Sequence, residues 1–100
     1  MKVFEFKDTK GKVIYLTSER LEHINREHPE IMNYFRDLSD SSFVEVFSKP
    51  TKVVDYDDRV RYYYKNFKDR EEKPRYLLVI VKYLNGEGFI ITMYFVRGIK

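Results

Sequence analysis

The chain has no cysteine and no tryptophan, and only four glycines and three prolines. Without cysteine there is no disulfide framework and no thiolate metal site, so a packed core must hold the chain together. Scarce glycine and proline, with 17% aromatic residues, argue against a disordered or low-complexity chain. No stretch approaches the roughly 18 consecutive apolar residues of a membrane span. The first ten residues, MKVFEFKDTK, alternate apolar and polar and lack the apolar centre of a signal peptide. A soluble, cytoplasmic protein with no membrane association is the expectation. There is also no glycine-rich phosphate loop, no carboxylate cluster at metal spacing, and no serine or cysteine in a nucleophile elbow. Nucleotide hydrolases and metalloenzymes fall away, and neither a cofactor nor a metal is expected.

What remains is 100 residues, 43% of them apolar, enough for one core and one domain over residues 1–100. The net charge of +3 is unevenly placed. Residues 1–50 carry 8 basic and 9 acidic side chains, and residues 51–100 carry 11 and 7. A basic half points toward a polyanionic partner, since Lys and Arg gain affinity by releasing counterions from phosphates; a solvated basic surface is the plainer alternative.

The periodicity predicts α+β: an N-terminal hairpin and helices packed on a four-stranded antiparallel sheet. Val3, Phe4 and Phe6, then Val13, Ile14 and Leu16, flank a polar run ending in Gly11, a hairpin signature. Thr17 or Ser18 suits a helix N-cap, and Leu21, Ile24 and His28 share one face of a helix over Ser18–Glu27. Pro29 predicts a break after His28. Ile31, Met32, Tyr34, Phe35 and Leu38 continue a helical pattern. Ser39–Ser42 cap a third short helix that Lys49–Pro50 ends, so helices fill most of residues 18–48. Four strands follow, at Lys52–Tyr56, Val60–Asn66, Tyr76–Leu84 and Gly88–Arg97, with Lys68–Lys73 a solvated loop between the middle two.

Three groups of residues can carry chemistry. Both histidines, His23 and His28, lie within six positions of each other beside Arg26, and histidine moves protons near neutral pH. Five positions on a straight helix separate them by about 140°, so they converge only if the break at Pro29 redirects His28. Their ordinary readings are a half-buried helix residue and a helix C-terminal residue facing the dipole; Glu22, Glu27 and Glu30 read as the solvated face. In the second strand, alternation puts Arg61, Tyr63 and Lys65 on one face and Tyr62, Tyr64 and Asn66 on the other. A basic and aromatic strand face suits single-stranded RNA; half-buried sheet tyrosines are the alternative. In the last strand Thr92 and Tyr94 share a face, with Arg97 near its end, a set able to orient a phosphate and neutralise charge.

Taken in order, the runs Leu16–Ile24, Arg26–Glu30, Tyr63–Lys65, Tyr76–Val79 and Gly88–Tyr94 resemble a family of small bacterial, archaeal and phage proteins. These belong to the barnase, EndoU, colicin and RelE group of metal-independent RNases. The resemblance spans about residues 13–100; its most specific pieces are the His-Ile-x-x-x-His-Pro-Glu run and the Gly-Phe-Ile-Ile-Thr-x-Tyr strand. It implies an RNA site between the helix and the exposed face of the sheet, with His23, Arg26, His28, Tyr64, Thr92 and Tyr94 as the catalytic set, His23 being the expected general acid or base, and with Lys65 and Arg97 holding substrate; Arg61 and Tyr63, from the basic and aromatic strand face, join them in holding substrate. The family's terminal strand typically has Ala where this chain has Met93, a departure on the opposite face. The expected activity is metal-independent endoribonuclease cleavage by 2′-hydroxyl attack, in a toxin whose partners are RNA and an antitoxin protein. A catalytically inactive RNA-binding or protein-interaction domain is the rival, since catalytic sets in this group vary and fold alone does not fix function.

Overall fold

The computed structural model describes residues 1–99. Its elements run β1 (Lys2–Lys7), β2 (Val13–Thr17), α1 (Ser18–Glu27), α2 (Glu30–Tyr34), α3 (Ser41–Ser48), β3 (Lys52–Asp55), β4 (Val60–Asn66), β5 (Tyr76–Leu84) and β6 (Glu87–Val96). The α+β class holds, but the sheet is not four-stranded and antiparallel. It has six strands in the order β1-β2-β6-β5-β4-β3. The N-terminal hairpin joins it through β2, whose Ile14 and Tyr15 pair in parallel with Gly88 and Phe89 of β6. The hairpin's inner residues Phe6, Ile14 and Leu16 are buried in the same core as the rest, and extending the sheet places them there. The junction needs Gly88: a Cβ on it would lie 2.9 Å from Val81 Cγ1 and 3.0 Å from Ile14 Cγ1.

The helices cover one face of the sheet. On that face Tyr63, Leu77, Val79, Val81, Ile90 and Met93 alternate along β4, β5 and β6 and are nearly fully buried, as period-two patterning requires. Helix α3 lays Phe43 and Phe47 against β1 and β4. Their rings meet Phe6 at 5.2 and 5.1 Å, and Phe47 meets Tyr63 edge-on at 5.3 Å. Such aromatic contacts supply a large share of the core area in a small domain.

Helix α1 starts where Thr17 Oγ1 accepts the Arg20 amide at 3.2 Å, an N-cap that satisfies one orphan donor. It ends before Pro29 as expected. The second helix is shorter than its apolar pattern. It stops at Tyr34, and Phe35 is extended. The Asp37 carboxylate then takes the Ser39 amide and hydroxyl at 2.9 and 2.7 Å, a local alternative to helical bonding. Leu38 is still fully buried, but from a turn. The loop Lys68–Lys73 also departs from a wholly solvated one. Arg70 is only 8% exposed, its guanidinium 4.0 Å over the Phe95 ring and donating to the Glu72 and Pro74 carbonyls.

Beyond Phe89 the strands β2 and β6 part, because the chain turns from Thr17 straight into α1. The edge of β6 is then flanked by helix α1 rather than by a strand. A bulge at this point pairs Ile80 with Thr92 and Val81 with Ile90, leaving Ile91 out of register. Arg20 Nη1 donates to the Ile91 carbonyl at 3.4 Å. Helix α1 therefore lies alongside β6 with its C-terminal end able to reach the uncovered face of the sheet. Among the described residues no helix is long and apolar enough to cross a membrane.

Candidate functional site

The uncovered face carries the even-numbered side chains of β4, β5 and the second half of β6. Register places Tyr62, Ile80 and Thr92 in one cross-strand row, Tyr64, Leu78 and Tyr94 in the next, and Asn66, Tyr76 and Val96 in the third. With Val54 and Tyr56 from β3 and its turn, the middle of this face forms a groove of about 460 Å³ walled by Tyr56, Tyr62 and Tyr94, its floor made by Tyr64 and Leu78, which are only 2% and 5% exposed. Tyr56 and Tyr62 stack at 5.2 Å, nearly parallel, and Tyr62 meets Tyr64 at 6.5 Å. Burial first, and then the neighbouring phenols of Tyr56, Tyr94 and Tyr64, push the Tyr62 hydroxyl above the ordinary tyrosine range. It stays a proton donor at neutral pH.

His28 backs one wall through Tyr94 without itself lining the groove. As the C-cap of α1 it leaves helical geometry, its amide still bonded to the Ile24 carbonyl at 2.7 Å. The break at Pro29 turns its ring onto Tyr94, with centroids 5.0 Å apart and planes 25° from parallel. Nδ1 lies 3.9 Å from Glu30 Oε1, and among the described residues Nε2 has no hydrogen-bond partner. An imidazole held by an aromatic face and flanked by a carboxylate is fixed in orientation and can exchange a proton with a ligand in the groove.

Two buried polar atoms here lack partners among the described residues: Glu30 Oε2 and Thr92 Oγ1. An unsatisfied buried group costs roughly 1–3 kcal/mol, and such exceptions call for a reason. Both belong to residues that border the His28–Tyr94 pair in sequence or along the strand.

Of the residues singled out by sequence, the structure gathers Tyr64, Tyr94, Thr92 and His28 around this face. Arg97, exposed just beyond β6, lines a second, basic cleft that adjoins the third row. Others lie elsewhere. Arg61, Tyr63 and Lys65 are on the covered side of β4, not on the open face. There Tyr63 is buried in the core, Arg61 Nε donates to Asp55 at 2.7 Å, and Lys65 Nζ donates to the Lys49 carbonyl at 2.6 Å, at the end of α3. Arg26 is exposed, with Glu27 at 3.6 Å. His23 is half-buried on α1, one position before the core residue Ile24.

Sequence reasoning placed Tyr62 on the Tyr64 face by alternation but gave it no role. It read Glu30 as solvated, and nothing local marked Tyr56. Among the described residues, no three His, Asp or Glu side chains converge in a way that could hold a metal ion. Comparison of the chain with family models, with curated proteins and with solved structures finds no match.

Proposed function

We propose that the tyrosine groove is the substrate site of a metal-independent endoribonuclease acting on single-stranded RNA. The observation that carries the reading is His28, stacked on the groove residue Tyr94 with Glu30 behind it. Three accessible tyrosines on this face, Tyr56, Tyr62 and Tyr94, suit unstacked bases, and phenolic hydroxyls there can donate to phosphate oxygens.

In this reading the ribose 2′-hydroxyl loses its proton and its oxygen attacks the adjacent phosphorus. The 5′-oxygen leaves with a proton. The products are a 2′,3′-cyclic phosphate and a 5′-hydroxyl end. His28 handles a proton in this exchange, Glu30 and Tyr94 hold its ring, and the hydroxyls of Tyr62 and Tyr94 orient the phosphate above the buried Tyr64 side chain and the buried Thr92 hydroxyl. Arg97 supplies positive charge at the margin. His23, set back on α1, is assigned no contact with substrate. A toxin role, with an antitoxin partner masking the same open face, fits a groove this apolar and accessible and belongs to the proposal.

The test is incubation of EDTA-treated protein with labelled total RNA and tRNA, with product ends identified. Wild type should leave cyclic phosphates; His28→Ala should lose about 10²–10⁴-fold of the rate, the usual weight of a general acid or base, while His23→Ala keeps most of it. Intact RNA with the folded wild-type protein would move the function to RNA binding without cleavage, and His28→Ala at full rate would remove His28 from it.

A further inference from the structure

Where the sheet ends, Lys68, Lys73, Arg75 and Arg97 line a cleft of about 550 Å³ together with Asn66 and Tyr76. Among the described residues no carboxylate lines it, in a chain with 16 acidic residues. Among the described residues none of these four cations forms an ion pair, and only Arg75 is engaged, through Nε on the Arg70 carbonyl at 2.7 Å. Four like charges left facing one cavity repel one another, a cost that an anionic ligand removes. The buried Arg70 holds the loop that carries Lys68 and Lys73, tied to two carbonyls and the Phe95 ring. The cleft is therefore a shaped feature rather than a spray of surface lysines.

Its position gives the ligand. Asn66 and Tyr76 line the cleft and share their cross-strand row with Val96, which lines the tyrosine groove. The two depressions meet at that row. Successive rows on one face are two residues apart, about 7 Å along the strands, comparable to one nucleotide of extended strand. A strand whose bases lie on Tyr62 and Tyr94 would carry its next phosphates into the cleft.

We propose that this cleft is a phosphate subsite for the backbone of a single-stranded nucleic acid leaving the tyrosine groove, so that the ligand is a strand of several nucleotides. The inference rests on the groove being the binding face, and it does not depend on cleavage. A duplex has its bases stacked inside and offers the tyrosines nothing.

The experiment is fluorescence anisotropy with 2′-O-methyl RNA, which cannot be cut by its own 2′-oxygen, as a trinucleotide, a single-stranded decamer and a duplex decamer across a salt series. The decamer strand should bind at least tenfold more tightly than the trinucleotide or the duplex. Lys68→Gln/Lys73→Gln should abolish that advantage and flatten the salt dependence of the decamer by about 1.4 in log–log slope, from roughly 0.7 per lost phosphate contact. Lys7→Gln/Lys10→Gln, an equal charge change on the distant hairpin, should leave it. Equal binding of the trinucleotide or duplex, or equal loss in the hairpin variant, overturns the subsite. Length-dependent strand binding by a protein that leaves ordinary RNA intact would sink the nuclease reading and keep the cleft. Normal cleavage with unchanged decamer affinity in Lys68→Gln/Lys73→Gln would do the reverse.

Discussion

Tyr83 shows how much one hydroxyl can organise. Its oxygen lies 2.6 Å from the Tyr63 oxygen and donates to Asp8 Oδ2 at 3.0 Å, while Asp8 Oδ1 accepts the amides of Lys10 and Lys12. The chain thus ties β5 to the hairpin turn and to a core tyrosine of β4. Tyr83→Phe should cost about 1–3 kcal/mol in urea unfolding, the usual toll of leaving buried partners unsatisfied; an unchanged midpoint would show the chain to be incidental. Burial, then the bond to Tyr63, then Asp8, hold the Tyr83 phenol far above its ordinary value of 10.0. A raised pKa contributes stability that is complete below 10 and lost as pH climbs toward the raised value. Wild type should therefore lose stability more steeply than Tyr83→Phe above about pH 10. Thr92 gives the opposite case. Its buried hydroxyl has no partner among the described residues, so Thr92→Val should leave stability unchanged or slightly raised in the same unfolding measurement. A variant that loses stability would show the hydroxyl to be bonded after all.

Among the elements, the β2–β6 junction is the tightest. Gly88→Ala puts a methyl 2.9–3.1 Å from Val81, Ile14 and Tyr83, and overpacking of that kind costs about 1–3 kcal/mol. The thermal midpoint should fall, and amide exchange should accelerate first at Ile14 and Tyr15. A midpoint equal to wild type would mean that β2 is not held against β6 as described. Thr17→Ala, which removes the α1 cap, should cost about 1 kcal/mol by the same unfolding measurement. These elements differ in how far sequence revealed them. Helix α1 and strands β4 and β5 were legible to the residue, because periodicity and caps are local signals. The parallel pairing was not, since nothing near Ile14 points to Gly88 more than seventy positions away; an isolated glycine inside a strand was the one available hint. The early end of α2 was hidden because apolar spacing ran on to Leu38, while the Asp37 side chain had already captured Ser39.

At the scale of the molecule, the proposed function follows from which face of the sheet the helices leave uncovered. Alternation correctly divided β4 into two faces, but only the helices decide which one is free. They cover Tyr63 and leave the side that carries Tyr62, with Tyr64 as its buried floor, so the basic face expected for substrate became an interior and edge face instead. The positive charge reappears at the end of the sheet, where Lys68, Lys73, Arg75 and Arg97 are drawn together by the loop around Arg70. That convergence depends on tertiary placement of residues up to thirty positions apart. His28 was visible as a candidate, but its contact with Tyr94 requires both the Pro29 break and the parting of β2 from β6. The claim that joins these features is that single-stranded RNA lies across the open face. Photocrosslinking of a 4-thiouridine-substituted single strand, with the modified residues identified by mass spectrometry, tests it most directly. The account predicts adducts on Tyr56, Tyr62 and Tyr94, competed away by unlabelled strand; adducts confined to the helices or the N-terminal hairpin would contradict it.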